Sequence, residues 1–483
     1  MLKWWRFIFL FLLLNFPLKA QKYYADPSPV VQQKLEKWRD LKFGLLMHWG
    51  AYSQWGIVES WSICPEDYPW CQRTMGPDPH HYFKYLQAYQ KLQTTFNPSK
   101  FNPSKWAKAA KDAGMKYLVF TTKHHDGFCM FDSKFTDYKV TDVKCPFHKN
   151  QKADITKEIF KAFRKQGLWI GAYFSKPDWH NEYYWNPYFP PLDRNVNYDP
   201  ELHSNWWQKF VEYTHNQIME LVTRYGPIDI LWLDGGWVAK KTQEELEIYY
   251  LKRLKENKSG FIKNRVVSQD IKLAELVKKA RQTQPDLIVV DRAVEGPFQN
   301  YLTPENTIPD SIIEAPWESC IIAGGGWSWV PNAKYKSAEE VIKILINIVA
   351  KGGNLLLNIA PRPDGEWDQQ AYELLSEVGH WLRINGEAIY GTRAWRTFKQ
   401  NNIWFSRKQD HSALYAFVTD EMPKKLEIEN LKIPLNTKIE ILGSSQTLLW
   451  KDSDNGIAIL IPDDLRKNPP CKFAWAIKIP LKN

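Results

Sequence analysis

The stretch NWWQKFVEYTHNQIMELVTRYGPIDILWLDGG, residues 205–236, decides the reading of the fold. Asn205 to Arg224 carries helical periodicity, Gly226-Pro227 stops it, and Ile228 to Leu233 follows as a short, largely apolar strand. The same grammar recurs on both sides. Ser104 to Ala113 leads through Gly114 to Tyr117–Phe120, and Ile155 to Lys165 leads through Gly167 to Leu168–Tyr173. Leu273 to Arg281 precedes Leu287–Val290, and Ser337 to Ala350 leads through Gly352-Gly353 to Asn354–Asn358. Strands that read as apolar runs, not alternations, belong to a parallel sheet covered on both faces. Such units in series predict an α/β protein built on a (β/α)8-like (TIM) barrel. No glycine-rich stretch follows a strand with G-x-G-x-x-G spacing, so a dinucleotide-binding doubly wound sheet has no support.

The texture changes near Trp395. From Asn402 onward come short alternating segments separated by turn residues: Ile403–Ser406, Ala413–Val418, Lys438–Leu442, Ala458–Ile461 and Phe473–Ile477. They predict a C-terminal antiparallel β-sandwich over 395–483, after a catalytic barrel over 21–394. The full length of 483 residues is more than one compact core normally holds, in keeping with two domains. Residues 1–20 read as a signal peptide: Lys3 and Arg6 precede the apolar run Phe7–Phe16, and Ala20 offers a cleavage point. That run is too short for a comfortable bilayer span, so the expected location is secreted or periplasmic.

Hydrophobic residues make up 44% and charged residues 24%, ordinary for a soluble globular chain, but 24 Trp, 23 Tyr and 24 Phe are not ordinary. Aromatic faces pack against the C–H faces of sugar rings, which favours a carbohydrate-handling protein over large aromatic cores only mildly. The net charge of +10 is spread over helix-like stretches, with a local concentration from Lys240 to Lys263 in what reads as an inserted helical excursion. With no nucleic-acid motif beside it, a solvated face is expected and no nucleic-acid partner. Of six cysteines, Cys64 and Cys71 are close enough in sequence to pair; buried thiols are the alternative, and the spacing matches no zinc pattern.

Catalytic groups of a barrel sit at the C-terminal ends of its strands. Those positions hold His48 and Trp49; Lys123, His124, His125 and Asp126; Tyr173, Ser175 and Lys176; Asp234; and Asp291 with Arg292. Five such strand ends in succession point to an active site. Asp234 is the sharpest candidate, because Gly235 and Gly236 let the backbone turn away and leave its carboxylate open. Glycoside hydrolysis usually needs a second carboxyl group, about 5–5.5 Å away in retaining enzymes. Glu295, Glu305, Glu314 and Glu318 all follow Arg292 in what reads as a long loop, and spacing does not choose among them. Adjacent histidines tend to point apart, so His124, His125 and His48 read as hydrogen-bonding partners of sugar hydroxyls and not as metal ligands.

Taken together, MHWGAYS (47–53), KHHDGF (123–128), LWLDGG (231–236), KGGNLLLNIAPRPDG (351–365) and INGEAIYGT (384–392) resemble glycoside hydrolase family 29, the α-L-fucosidases, over nearly the whole chain. The resemblance implies a retaining exo-α-L-fucosidase that hydrolyses terminal α-L-fucose from fucosylated glycans without metal or cofactor. It assigns Asp234 as the nucleophile and His48, His124, His125, Tyr173, Trp232 and Arg292 to fucose. Glu59 and Trp61 join them on a looser match, and Trp327 is placed near the sugar's methyl group. For the acid/base it favours Glu305, in LTPEN, with Glu318 as runner-up. The acid must start protonated, so burial or the charge of Asp234 is expected to raise its pKa. The pattern looks more like the broad fucosidases than those restricted to branched α-1,3/1,4 linkages. An α-galactosidase-like hydrolase and a non-catalytic fucose-binding protein are the rival readings. Oligomeric state is not legible.

Overall fold

The computed structural model describes residues 22–256 and 265–481. The signal peptide expected over residues 1–20 lies outside them, as does the end of the basic excursion after residue 256.

Seven strands build the first unit: β1 (Phe43–Met47), β2 (Tyr117–Lys123), β3 (Trp169–Ser175), β4 (Ile230–Asp234), β5 (Ile288–Asp291), β6 (Glu318–Ile322) and β7 (Asn354–Asn358). All pair in parallel, in the order β5-β4-β3-β2-β1-β7-β6, so the sheet curls as a barrel wall left open between β5 and β6. Nearly every strand position is buried, which is why the strands read as apolar runs. The helices fall where the periodicity places them, at Pro103–Asp112, Ile155–Lys165, Ser204–Arg224, Leu273–Thr283 and Ala338–Ala350. Three of their starts are fixed by side-chain caps: Asn102 accepts from the Lys105 N–H, Asp154 from the Lys157 N–H, and Ser337 with Glu340 forms a capping box.

One expectation needs correcting. The region after Arg292 is not a continuous loop, because Glu318–Ile322 forms β6 and pairs with β7 from Glu318↔Asn354 onward. The segment is only five residues, opens on a charged side chain and follows no periodic helix, so the helix–strand grammar does not mark it.

The floor of the barrel explains where a ligand is able to enter. Helix Pro29–Leu41 precedes β1 and lays Trp38, fully buried, across the N-terminal ends of the strands. The Trp38 ring stacks on Tyr301 at 4.0 Å and meets Tyr117, the first residue of β2, edge-on at 6.4 Å. Its carbonyl accepts from Asn354 Nδ2, at the start of β7, at 2.9 Å. The interior above is filled by Leu46, Val119, Tyr173, Ile230, Trp232, Val290 and Leu356, leaving the C-terminal ends as the open face.

Eight antiparallel strands follow: β8 (Thr392–Gln400), β9 (Ile403–Lys408), β10 (Ala413–Val418), β11 (Lys425–Glu429), β12 (Ile439–Ile441), β13 (Thr447–Ser453), β14 (Gly456–Leu460) and β15 (Trp475–Pro480). Their order, β11-β14-β13-β12-β15-β10-β9-β8, is continuous, so the two layers of this unit are one curled sheet, nearly closed as a barrel. One face encloses a core of its own around Phe405, Leu414, Leu426, Ile441 and Ile459. The other sends Tyr415, Phe417, Ala474 and Ala476 into the core of the first unit, where Trp381 Nε1 donates to the Ala474 carbonyl at 2.8 Å. All six cysteines are buried free thiols, those of Cys64 and Cys71 lying within 4.8 Å of each other. No helix among the described residues is long and apolar enough to cross a membrane.

If Trp38 seals the floor, Trp38→Ala leaves a cavity that the surrounding rings cannot close. Urea titration is expected to show a loss of about 3–5 kcal/mol in unfolding free energy; a loss below about 1 kcal/mol would mean the indole is dispensable.

Candidate active site

A cavity of about 410 Å³ opens at the C-terminal ends of β1 to β5, within the usual range for small-molecule sites. It is lined by His48, Glu59, Trp61, His124, His125, Tyr173, Trp232, Asp234, Arg292, Glu305 and Trp327, together with Val58, Trp70, Arg194 and Trp237. Every residue that the family resemblance assigned to the sugar or to catalysis lies here except Glu318. That side chain is fully buried at the N-terminal end of β6, where it accepts from Tyr117 Oη at 2.6 Å and from Trp232 Nε1 at 3.4 Å. Burial pushes Glu318 up to about 7 despite those hydrogen bonds. Glu318 lies beneath the pocket and is not part of its lining.

Strand register assembles the centre. β3 and β4 pair with Ser175 opposite Asp234, and β4 and β5 pair with Leu233 opposite Asp291, so Arg292 emerges beside Asp234. Tyr173 Oη donates to Asp234 Oδ2 at 2.7 Å, and Arg292 Nη1 donates to Asp234 Oδ1 at 3.0 Å. The same guanidinium donates through Nη2 to Glu305 Oε2, and Trp327 Nε1 donates to Glu305 Oε1 at 3.1 Å. One cation thus joins the two carboxylates. Gly235 follows Asp234 with φ +89°, and a Cβ there would meet Pro177 at 2.4 Å, so glycine is required for the turn. Burial alone would raise the Asp234 carboxyl, but Arg292, Tyr173 and the Gly235 backbone hold it well below the usual carboxylate range. It is ionised at any ordinary pH.

The histidines surround this anion without sharing its charge. Burial lowers His48 to about 4, His125 to about 3, and His124 well below its ordinary value. His48 Nδ1 pairs with Asn358 Oδ1 at 2.9 Å and His124 Nδ1 with Ser60 Oγ at 2.6 Å. Trp61 packs edge-on against His125 with ring centroids 5.2 Å apart. Tyr173 stacks on Trp232 at 5.2 Å, and Trp327 lies 5.3 Å from the His48 ring. Glu59 is buried and its pKa is raised well above the ordinary value by that burial, leaving a neutral acid able to donate to a hydroxyl. A neutral layer of donors and acceptors around one carboxylate suits a polyhydroxylated, uncharged ring.

His124 and His125 do not point apart as expected. Their ring centroids are 4.2 Å apart, and their donor atoms and that of Asp234 all lie within 4.8 Å of one another. The β2–β3 ladder shifts register between Thr121 and Lys123, and a turn from His124 to Gly127 carries both rings to the same side. The oxygens of Asp234 are already engaged by Tyr173 and Arg292. A divalent ion would sit beside the guanidinium, whose charge opposes it.

The remaining strand-end residues support the site from behind. Trp49 is buried with Phe96, Phe101 and Trp106. Lys123 pairs with Asp178 at 3.0 Å and Lys176 with Asp291 at 2.5 Å, all four buried. Trp70, Arg194 and Trp237 were not anticipated. They come from segments without periodicity, and no local pattern marks them.

A family model described as α-L-fucosidase matches residues 11–387, and one described as the α-L-fucosidase C-terminal domain matches residues 397–480. Human tissue α-L-fucosidase is 30% identical over 95% of this chain and 92% of its own length. Among solved structures, α-L-fucosidase isoenzyme 1 from Paenibacillus thiaminolyticus superposes with a TM-score of 0.73 at 28% identity, covering 94% of this chain and 100% of that one. The Thermotoga maritima α-fucosidase in complex with a mechanism-based inhibitor gives 0.69 at 25% identity, covering 95% and 100%.

Two measurements follow from the site. A strong chelator should leave turnover unchanged, and a loss restored by added metal would contradict the carbohydrate reading of the histidines. A buried neutral histidine binds its proton more weakly folded than unfolded, so its contribution is complete above about 6.5 and is lost as pH falls toward 4 for His48. His48→Asn should therefore flatten the fall in urea stability between those pH values; an unchanged slope would place the acid sensitivity elsewhere.

Proposed function

The chain belongs to the α-L-fucosidase family, glycoside hydrolase family 29, and from that premise we propose that it releases terminal α-L-fucose by retaining double displacement, with Asp234 as nucleophile and Glu305 as acid/base. The observation that carries this reading is the Arg292 bridge, which brings two carboxylates of unlike surroundings to one pocket. Asp234 is enclosed and held ionised, as a nucleophile must be. Glu305 is 43% exposed and sits where a leaving group departs and water arrives. Retaining enzymes keep the pair about 5–5.5 Å apart, and two carboxylates gripped by one guanidinium favour a spacing of that kind.

In the first step an Asp234 oxygen attacks C1 of fucose and the C1–O bond breaks. Glu305 gives its proton to the departing oxygen. Seating the sugar must first loosen the contact from Arg292 Nη2, leaving Arg292 to Asp234. In the second step Glu305 takes a proton from water, the water oxygen attacks C1, and the Asp234 ester bond breaks. His48, His124, His125 and protonated Glu59 hold the hydroxyls, while Trp232 and Trp327 supply apolar walls. The inhibitor described with the Thermotoga maritima relative, itself mechanism-based, supports a covalent course. The basic start and apolar run of residues 1–20 support export.

Azide separates the two roles. Asp234→Gly should lose nearly all activity on an aryl α-L-fucoside and recover with azide, giving the β-fucosyl azide. Glu305→Ala should lose about 10²–10⁴-fold on a poorly activated fucoside and give the α-fucosyl azide. An α-azide from the Glu318→Gln variant, with none from Glu305→Ala, would reassign the acid/base.

A further inference from the structure

Exposure sorts the pocket lining. Among the described residues that line it, only Glu305 and Trp70 are exposed, at 43% and 44%. The side of the pocket open to solvent is therefore shared by the proposed acid and an indole. The group that takes the proton of Glu305 leaves through that opening, so it passes Trp70.

Trp70 is built as a platform. It stands in a short 3-10 turn, Pro69–Cys71, between a proline and a buried cysteine. Tyr68 stacks against it at 4.6 Å with planes 8° apart, which supports one face of the indole. The same loop carries Glu66, which grips Arg194 from across the chain: Arg194 Nε donates to Glu66 Oε1 at 2.8 Å and Nη2 donates to Oε2 at 2.5 Å. The guanidinium lies over Trp61 at 4.8 Å and Trp237 at 5.1 Å, and Nη1 takes part in none of its described hydrogen bonds. An apolar face and a held N–H donor lining one cavity match a pyranose, which presents C–H bonds on one face and hydroxyls at its edge.

We propose that Trp70 and Arg194 form the binding site for the first sugar of the leaving group, a neutral hexopyranose stacked on the indole with an edge hydroxyl on Arg194 Nη1. This rests on the fucosidase reading above and adds the saccharide side of its substrate. Tyr68 and Glu66 are positioning residues: one backs the indole and the other fixes the guanidinium.

The test compares substrates with and without a leaving sugar. α-L-Fucosyl fluoride fills the fucose pocket and puts a single atom at the opening. The parent and its Trp70→Ala and Trp70→Phe variants are assayed on it and on whichever of a panel of fucosyl-β-galactosides and fucosyl-N-acetylglucosaminides the parent cleaves best. The ratio of kcat/KM on the disaccharide to kcat/KM on the fluoride should fall about tenfold in Trp70→Ala, mainly through KM, and return toward the parent value in Trp70→Phe. An unchanged ratio in Trp70→Ala overturns the inference while leaving the fucosidase reading intact. A parent that does not hydrolyse the fluoride overturns both.

Discussion

Arg292 donates one η nitrogen to Asp234 and the other to Glu305, and the chemistry of the pocket depends on that shared cation. A carboxylate withdrawn from water at the bottom of a cavity loses hydration worth several kcal/mol. Arg292, Tyr173 Oη and the Gly235 backbone together offset that loss and leave Asp234 more acidic than in water. The three come from β5, β3 and the turn after β4, so neighbouring strand ends converge on one oxygen pair. A shift of register on either side of β4 would carry Tyr173 or Arg292 away from the carboxylate and leave it buried without compensation.

The rest of the barrel keeps that arrangement rigid. The buried pairs Lys123–Asp178 and Lys176–Asp291 lie just behind the pocket wall. Removing one partner from either would strand a charge, a far larger penalty than the pair itself contributes. Below, Glu318 accepts from Tyr117 and Trp232, tying the indole that floors the pocket to the base of the barrel. The buried histidines are neutral and add no positive charge that would compete with Arg292 for Asp234.

Much of this was legible in the sequence. Helix followed, mostly through glycine, by an apolar run gave five of the seven parallel strands and the helix ahead of each, because a strand buried on both faces cannot hide its composition. The strand ends marked the site, since titratable groups there have no structural reason to accumulate. Other features were hidden. Along one strand end, successive residues go to the pocket or to the wall behind it, so Lys123 and Lys176 looked as functional as His125 and Tyr173. The strand beginning at Glu318 carries no helix before it, and that glutamate read as a loop residue. Arg194 and Trp70 line one cavity, and Glu66 ties their two loops together across more than a hundred residues, which no local pattern encodes.

The nucleophile is the atom that bonds to the sugar. Incubating the protein with 2-deoxy-2-fluoro-α-L-fucosyl fluoride slows the second displacement and lets the intermediate accumulate. Peptide mass spectrometry of the inactivated enzyme should then find one fluorofucosyl group, on the peptide containing Asp234 and on its carboxylate. Labelling of a different side chain, or turnover with no covalent species at any time, would contradict Asp234 in that role.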